Sequence, residues 1–112
     1  MTTQKFCLAL DLKDDPNLIE EYKTLHQNIW PEIAESIKST GISVLDIYCT
    51  GNRLFMIIEA GADFSFEKKS KSDAANPNVQ EWENLMWKFQ QALSWAKPGE
   101  KWVLMEKIFE LK

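Results

Sequence analysis

With 112 residues, 45% apolar and 27% charged, the chain has the make-up of one soluble globular domain spanning residues 1–112. A net charge of −4 without a basic cluster among aromatics argues against nucleic acid; Lys68-Lys69-Ser70-Lys71, flanked by Glu67 and Asp73, reads as a solvated face. No apolar run approaches the roughly 18 residues of a membrane span. Met1-Thr2-Thr3-Gln4-Lys5 carries neither the apolar region nor the cleavage site of an export signal, so a cytoplasmic location is expected. Cys7 and Cys49 are then most simply reduced thiols filling strands, and neither belongs to a CxxC pair.

In chain order, "KFCLALDL" (5–12) alternates Phe6, Leu8, Leu10 and Leu12 with smaller or polar residues, the period of a half-buried strand. "DDPNL" then opens a helix, with Pro16 in its first turn and acidic side chains near its positive end. The helical pattern runs to Ser39-Thr40-Gly41, where the glycine suits the C′ position. "SVLDIYCT" and "RLFMIIEA" read as strands joined at Gly51-Asn52 in a tight hairpin. Residues 61–76 read as a loop or short helical turn anchored by Phe64 and Phe66. A second helix starts at Asn76-Pro77 and keeps its periodicity to about Leu93. "AKPGE" breaks it, and "KWVLMEKIFEL" (101–111) reads as a last strand.

The order β-α-β-β-α-β is the ferredoxin-like arrangement, an α+β fold with both helices on one face of a four-stranded antiparallel sheet. The other face would carry Cys7, Ala9, Leu45, Ile47, Phe55 and Ile57, or the alternate set. Either set leaves apolar surface that needs a further layer, and a second copy of the sheet would supply it. A homodimer packed sheet to sheet is expected.

The chain's only histidine, His26, lies in the first helix. At about 100° per residue, Leu18, Tyr22, Leu25, Ile29 and Ile33 form a narrow apolar stripe, with His26, Trp30 and Ile37 along its edge. His26 is one turn from both Tyr22 and Trp30. Pro31 cannot donate to the carbonyl of Gln27, so the helix should kink or restart near Asn28. Two readings of His26 stay open: a satisfied structural residue, or a half-buried acid–base group facing a cavity. A metal site lacks a second histidine and any carboxylates at ligand spacing. On the second helix Val79, Trp82, Leu85, Met86, Phe89 and Leu93 form a core stripe, and Trp87 falls well off it. That ring needs cover from a partner subunit, the C-terminal segment or a ligand, and aromatic faces suit the C–H faces of sugars.

Tyr22-x-x-x-His26-x-x-Ile29-Trp30-Pro31-Glu32 resembles the signature of the L-rhamnose mutarotase family. The likeness continues at Phe6–Leu12, Ser39-Thr40-Gly41, Asn52-Arg53-Leu54-Phe55 and Met86-Trp87-Lys88-Phe89, and so covers roughly the whole chain. It implies a dimeric α+β barrel of ferredoxin-like subunits. It also implies a proton-donor role for His26, a sugar contact for Tyr22, and a site lined by a tryptophan pair whose second member is Trp87. Two positions depart from the pattern: the pair's first tryptophan is Met86 here, and a sugar-contacting tyrosine falls at Leu45. Both changes would reshape the pocket, which makes L-fucose a competitor to L-rhamnose. Trp30, beside His26, joins Tyr22, Trp87, Met86 and Leu45 as a substrate-binding candidate.

The implied reaction is exchange of the α and β anomers of a reducing sugar by ring opening and closure. It calls for proton transfer near neutrality, where an imidazole works, and for no cofactor, in keeping with the absence of glycine-rich phosphate loops and metal motifs. His26 would protonate the ring oxygen; Asp46, Tyr48 or a water would take the anomeric proton. A sugar-binding module without catalysis, or a cofactor-free monooxygenase on the same barrel, are the alternatives.

Overall fold

The computed structural model describes residues 3–112. Its centre is strand β1 (Gln4–Leu12), which pairs antiparallel with β3 (Arg53–Ala60), itself paired with β2 (Ile42–Thr50). Alternation along β1 sends Leu8, Leu10 and Leu12 to one face, where the register sets them opposite Met56, Leu54 and, at Leu12, Gln90. Gly51-Asn52 makes the expected two-residue turn, with Gly51 at φ 55°, a conformation that glycine adopts without a Cβ penalty. Asn52 then anchors the turn to the end of β1. Its side-chain amide donates to the Leu12 carbonyl at 3.0 Å, and its own carbonyl accepts from the Leu12 N–H at 2.7 Å.

The first helical region is divided where Pro31 requires. Helix α1 (Pro16–Gln27) starts on the carboxylate of Asp15, which accepts from the Asn17 and Leu18 N–H groups. Residues 28–30 leave helical geometry, and α2 (Pro31–Ser39) begins with the proline at its first position, where no N–H is needed. Gly41, at φ 92°, closes α2 as the C′ residue.

Three boundaries differ from the sequence reading. Residues 66–74 form a complete helix, α3 (Phe66–Ala74), capped by Ser65 and braced by Glu67–Lys71 and Lys69–Asp73 pairs at i,i+4. Phe64 and Phe66 anchor it by packing on Phe6. Helix α4 (Pro77–Trp87), capped by Asn76 as expected, ends well before Leu93. Its last turn tightens, with the Lys88 and Phe89 N–H groups donating three residues back, and the chain then enters the short strand β4 (Gln90–Gln91) against β1. Phe89 and Leu93 are buried as the helical stripe predicts, but from turn and loop positions. The third difference is the last strand, which shrinks to β5 (Val103–Leu104), also on β1. Beyond it Ile108, Phe109 and Leu111 are 75–88% exposed, with little of the described chain to lie against.

The sheet order is β2-β3-β1-β4 with β5 beside β4 on β1, a ferredoxin-like α+β fold with four helices. The core lies between helices and sheet in two clusters. One gathers Leu12, Tyr22, Ile33, Leu54, Val79, Trp82, Met86 and Phe89; the other gathers Leu8, Ile42, Met56, Ile58, Ala60 and Phe64. The opposite sheet face carries Cys7, Ala9, Phe55 and Ile57, as expected. Leu45 and Ile47 do not join them. Paired with Ile58 and Met56, they face the helices, while Asp46 and Tyr48 take the outer face opposite Ile57 and Phe55.

Candidate active site

Tyr22 and His26 stand one turn apart on α1, so their side chains stack: the ring centroids are 4.2 Å apart. Trp82, from α4, lies edge-on to the imidazole at 5.6 Å, and Trp30, just before α2, lies edge-on to Trp82 at 5.0 Å. On the far side Tyr22 meets Phe89 at 6.1 Å, and its hydroxyl accepts from Nε2 of Gln90 at 3.2 Å. The break at Pro31 and the early end of α4 are what bring these groups together. The first redirects the chain beside Trp82; the second turns Phe89 and Gln90 in toward Tyr22.

The imidazole is held in one tautomer. Nδ1 of His26 lies 2.9 Å from the Tyr22 carbonyl, which can only accept, so Nδ1 carries the proton and Nε2 of the neutral ring is a free base. Burial pushes the His26 pKa below its ordinary 6.5, and the bond to the carbonyl only partly opposes this. The ring is therefore neutral near pH 7, ready to accept a proton and then return it. Burial moves Tyr22 the other way: desolvation pushes its pKa up to about 12, so it remains a neutral hydroxyl and is no base at physiological pH. A reaction that begins with proton removal by His26 should accelerate as pH rises through a pKa below 6.5 and then level off. An exchange-rate profile between pH 5 and 8 checks this, because dependence on the imidazolium gives the opposite slope.

The candidates from sequence do not all meet. Tyr22, His26, Trp30 and Met86 converge on the first core cluster, with Met86 fully buried. Trp87 is 38% exposed, and the Lys101 ammonium, ion-paired with Glu83, covers its ring at 4.7 Å. Leu45 packs in the second cluster, apart from His26. Asp46 and the 58%-exposed Tyr48 lie across the sheet from the imidazole, so neither is placed to take an anomeric proton. Two residues escaped the sequence reading. Helical periodicity gives Trp82 only a core role and puts Gln90 inside a helix.

A groove of about 320 Å³ opens beside the cluster, lined by Trp30, Pro31, Glu32, Asn78 and Glu81. A second cavity, of about 380 Å³, lies toward the C-terminal segment and includes Ala9, Phe55, Trp95 and Val103. Among the described residues no three His, Cys, Asp or Glu side chains gather as a metal site, and no helix is long and apolar enough to cross a membrane.

Fold and site together define a ferredoxin-like protein with one tautomer-fixed imidazole among aromatic rings, the equipment for acid–base work on a small polar molecule. A family profile for L-rhamnose mutarotase matches residues 5–111, and the chain belongs to that family of sugar isomerases. It is 42% identical to an L-fucose mutarotase of Xanthomonas campestris pv. campestris over 113 residues, covering 99% of this chain and 90% of that protein. Among solved structures it resembles in fold an L-rhamnose mutarotase from Formosa agariphila, with TM-score 0.71 and 20% identity over 97% of this chain and 99% of that one. A dimeric ferredoxin-like protein from an uncultured marine organism is also similar in fold, with TM-score 0.54 and 13% identity over 100% and 95% of the two chains.

Proposed function

We propose that the protein interconverts the α and β anomers of a 6-deoxyhexose, with His26 moving the proton. The observation that carries this reading is the imidazole itself, anchored at Nδ1 beside the Tyr22 ring and with no partner at Nε2 among the described residues. Nε2 takes the proton from the anomeric hydroxyl as the bond from C1 to the ring oxygen breaks and C1 becomes an aldehyde. The same nitrogen then gives that proton to the departing ring oxygen, so His26 remains the donor to that oxygen. Both oxygens are bonded to C1, so one nitrogen can serve both, and no separate base is required. Rotation about C1–C2 and the reverse sequence close the other anomer. Tyr22 directs its hydroxyl to the sugar, Met86 and Trp30 give apolar wall, and Trp87 offers its face to the sugar's C–H side when Lys101 moves aside. Leu45, in the neighbouring cluster, receives no sugar contact in this scheme.

L-fucose is the favoured sugar, because 42% identity links the chain to an L-fucose mutarotase. Saturation-difference NMR with L-fucose, L-rhamnose and other monosaccharides, combined with anomer-exchange rates, tests the assignment. L-fucose should both bind and exchange faster. Binding without faster exchange would indicate a sugar-binding module instead.

The working form is a cytoplasmic homodimer. Free Cys7 and Cys49 suit a reducing compartment. The half-buried outer-face row of Cys7, Ala9, Phe55 and Ile57 suits a second sheet, and one protein similar in fold is itself dimeric. Ile57→Lys should convert the dimer to a monomer in sedimentation velocity, whereas an unchanged dimer would remove this face from the interface.

A further inference from the structure

Gln90 carries a hydrogen-bonding demand that the fold leaves unmet. Only 3% of the residue is exposed, and β4 pairing with Leu12 holds it to the sheet. Its Nε2 donates to the Tyr22 hydroxyl, while its Oε1 has no partner among the described residues. Turning the amide over would exchange which atom is orphaned and still leave one unpaired. A buried amide oxygen without a donor is unfavourable, and an apolar residue of similar size would avoid the penalty. The rest of the cluster follows that cheaper course: Leu12, Leu54, Met86 and Phe89 are all apolar.

The neighbouring groups indicate what the oxygen is for. Because the Tyr22 hydroxyl receives the Gln90 N–H, its own proton is left to donate elsewhere. Oε1 of Gln90 and the Tyr22 O–H therefore form an acceptor and a donor side by side, with the His26 ring against the Tyr22 ring. Adjacent hydroxyls on a pyranose offer the complementary pattern, one giving a proton and the next receiving one. The geometry points to Gln90 as a specificity-determining residue that accepts a hydrogen bond from one ring hydroxyl of the sugar while Tyr22 donates to its neighbour. This inference rests on the mutarotase reading and goes beyond it, since it assigns the choice among sugars to a residue outside the signature around His26.

The test compares anomer exchange for L-fucose, L-rhamnose and their monodeoxy analogues, using wild type, Gln90→Met and Gln90→Glu. Wild type should lose about tenfold or more in kcat/KM on one analogue, the one lacking the hydroxyl that Oε1 reads. Gln90→Met should slow the parent sugar about as much and treat that analogue like the parent. Gln90→Glu, which burial keeps protonated, retains a carbonyl acceptor and should restore the discrimination. A Gln90→Met effect of equal size on every sugar, or no effect, overturns the assignment and leaves the mutarotase reading standing. Wild type that accelerates none of these sugars overturns both. Should Gln90→Met fail to fold, the wild-type protein still decides the question. The Gln90 side-chain amide resonance should shift with the parent sugar and stay in place with the critical deoxy analogue; identical responses to both overturn the assignment.

Discussion

His26→Asn should remove about 10²–10⁴-fold of the acceleration, the range typical of a positioned general acid–base group. The substitution is chosen to spare the fold. His26 sits on the edge of the α1 stripe rather than inside it, and asparagine is tolerated there at a small loss of helix propensity. What disappears is the nitrogen that can hold a proton and give it back near neutrality. Neither of the polar groups proposed to meet the sugar with it replaces it. Tyr22 stays protonated to about pH 12, and Gln90 does not titrate. Magnetisation transfer between the anomeric proton signals measures the rate, and circular dichroism checks the fold. A variant that folds and exchanges at the wild-type rate would leave His26 with a structural role only.

Trp82→Ala should be the most damaging single change to stability among the residues around the site, at about 3–5 kcal/mol. Trp82 is 6% exposed and sits at the junction of the three helices that build the site, touching His26 on α1 and Trp30 at the start of α2 from its own place on α4. Removing the indole leaves a cavity that two half-buried rings would have to collapse into. The more informative partner is Trp82→Phe, which keeps most of the burial but withdraws the larger ring from one of its neighbours. It should fold with a smaller loss and still exchange sugars more slowly, because the imidazole has lost a wall that fixes its orientation. Urea unfolding gives the stability of both variants, and kcat for Trp82→Phe separates orientation from folding. Full activity in Trp82→Phe would limit Trp82 to packing.

The sequence revealed much of this arrangement because its strongest signals are local. Alternation gave β1, the Gly51-Asn52 turn gave the hairpin, and Pro31 marked the break between α1 and α2. The stacking of His26 on Tyr22 followed from helical spacing, whereas Trp30, past the end of α1, packs on Trp82, which in turn meets the imidazole; the role proposed for His26 came from the resemblance. Elsewhere the local signals misled for identifiable reasons. Phe89 and Leu93 continue the apolar rhythm of α4, and no glycine or proline announces its end at Trp87, so Gln90 looked like one more helical residue. Only the pairing of Gln90 with Leu12, across most of the chain, turns that amide toward Tyr22. Leu45 and Asp46 pose a related problem. Strand alternation puts them on opposite faces but cannot say which face meets the helices until β2 is set in register with β3. The C-terminal run failed differently. Its strand-like composition extends past β5, yet the described chain gives Ile108, Phe109 and Leu111 little to lie against.

Catalysis of anomer exchange by this chain can be tested without a variant. Purified wild-type protein is added at increasing concentration to equilibrated L-fucose and, separately, to L-rhamnose, and magnetisation transfer between the α and β anomeric protons is recorded. Exchange rates should rise in proportion to protein concentration, more steeply for L-fucose, and should increase through a pKa below 6.5. Rates equal to those in buffer alone for both sugars, at every protein concentration, would contradict catalysis.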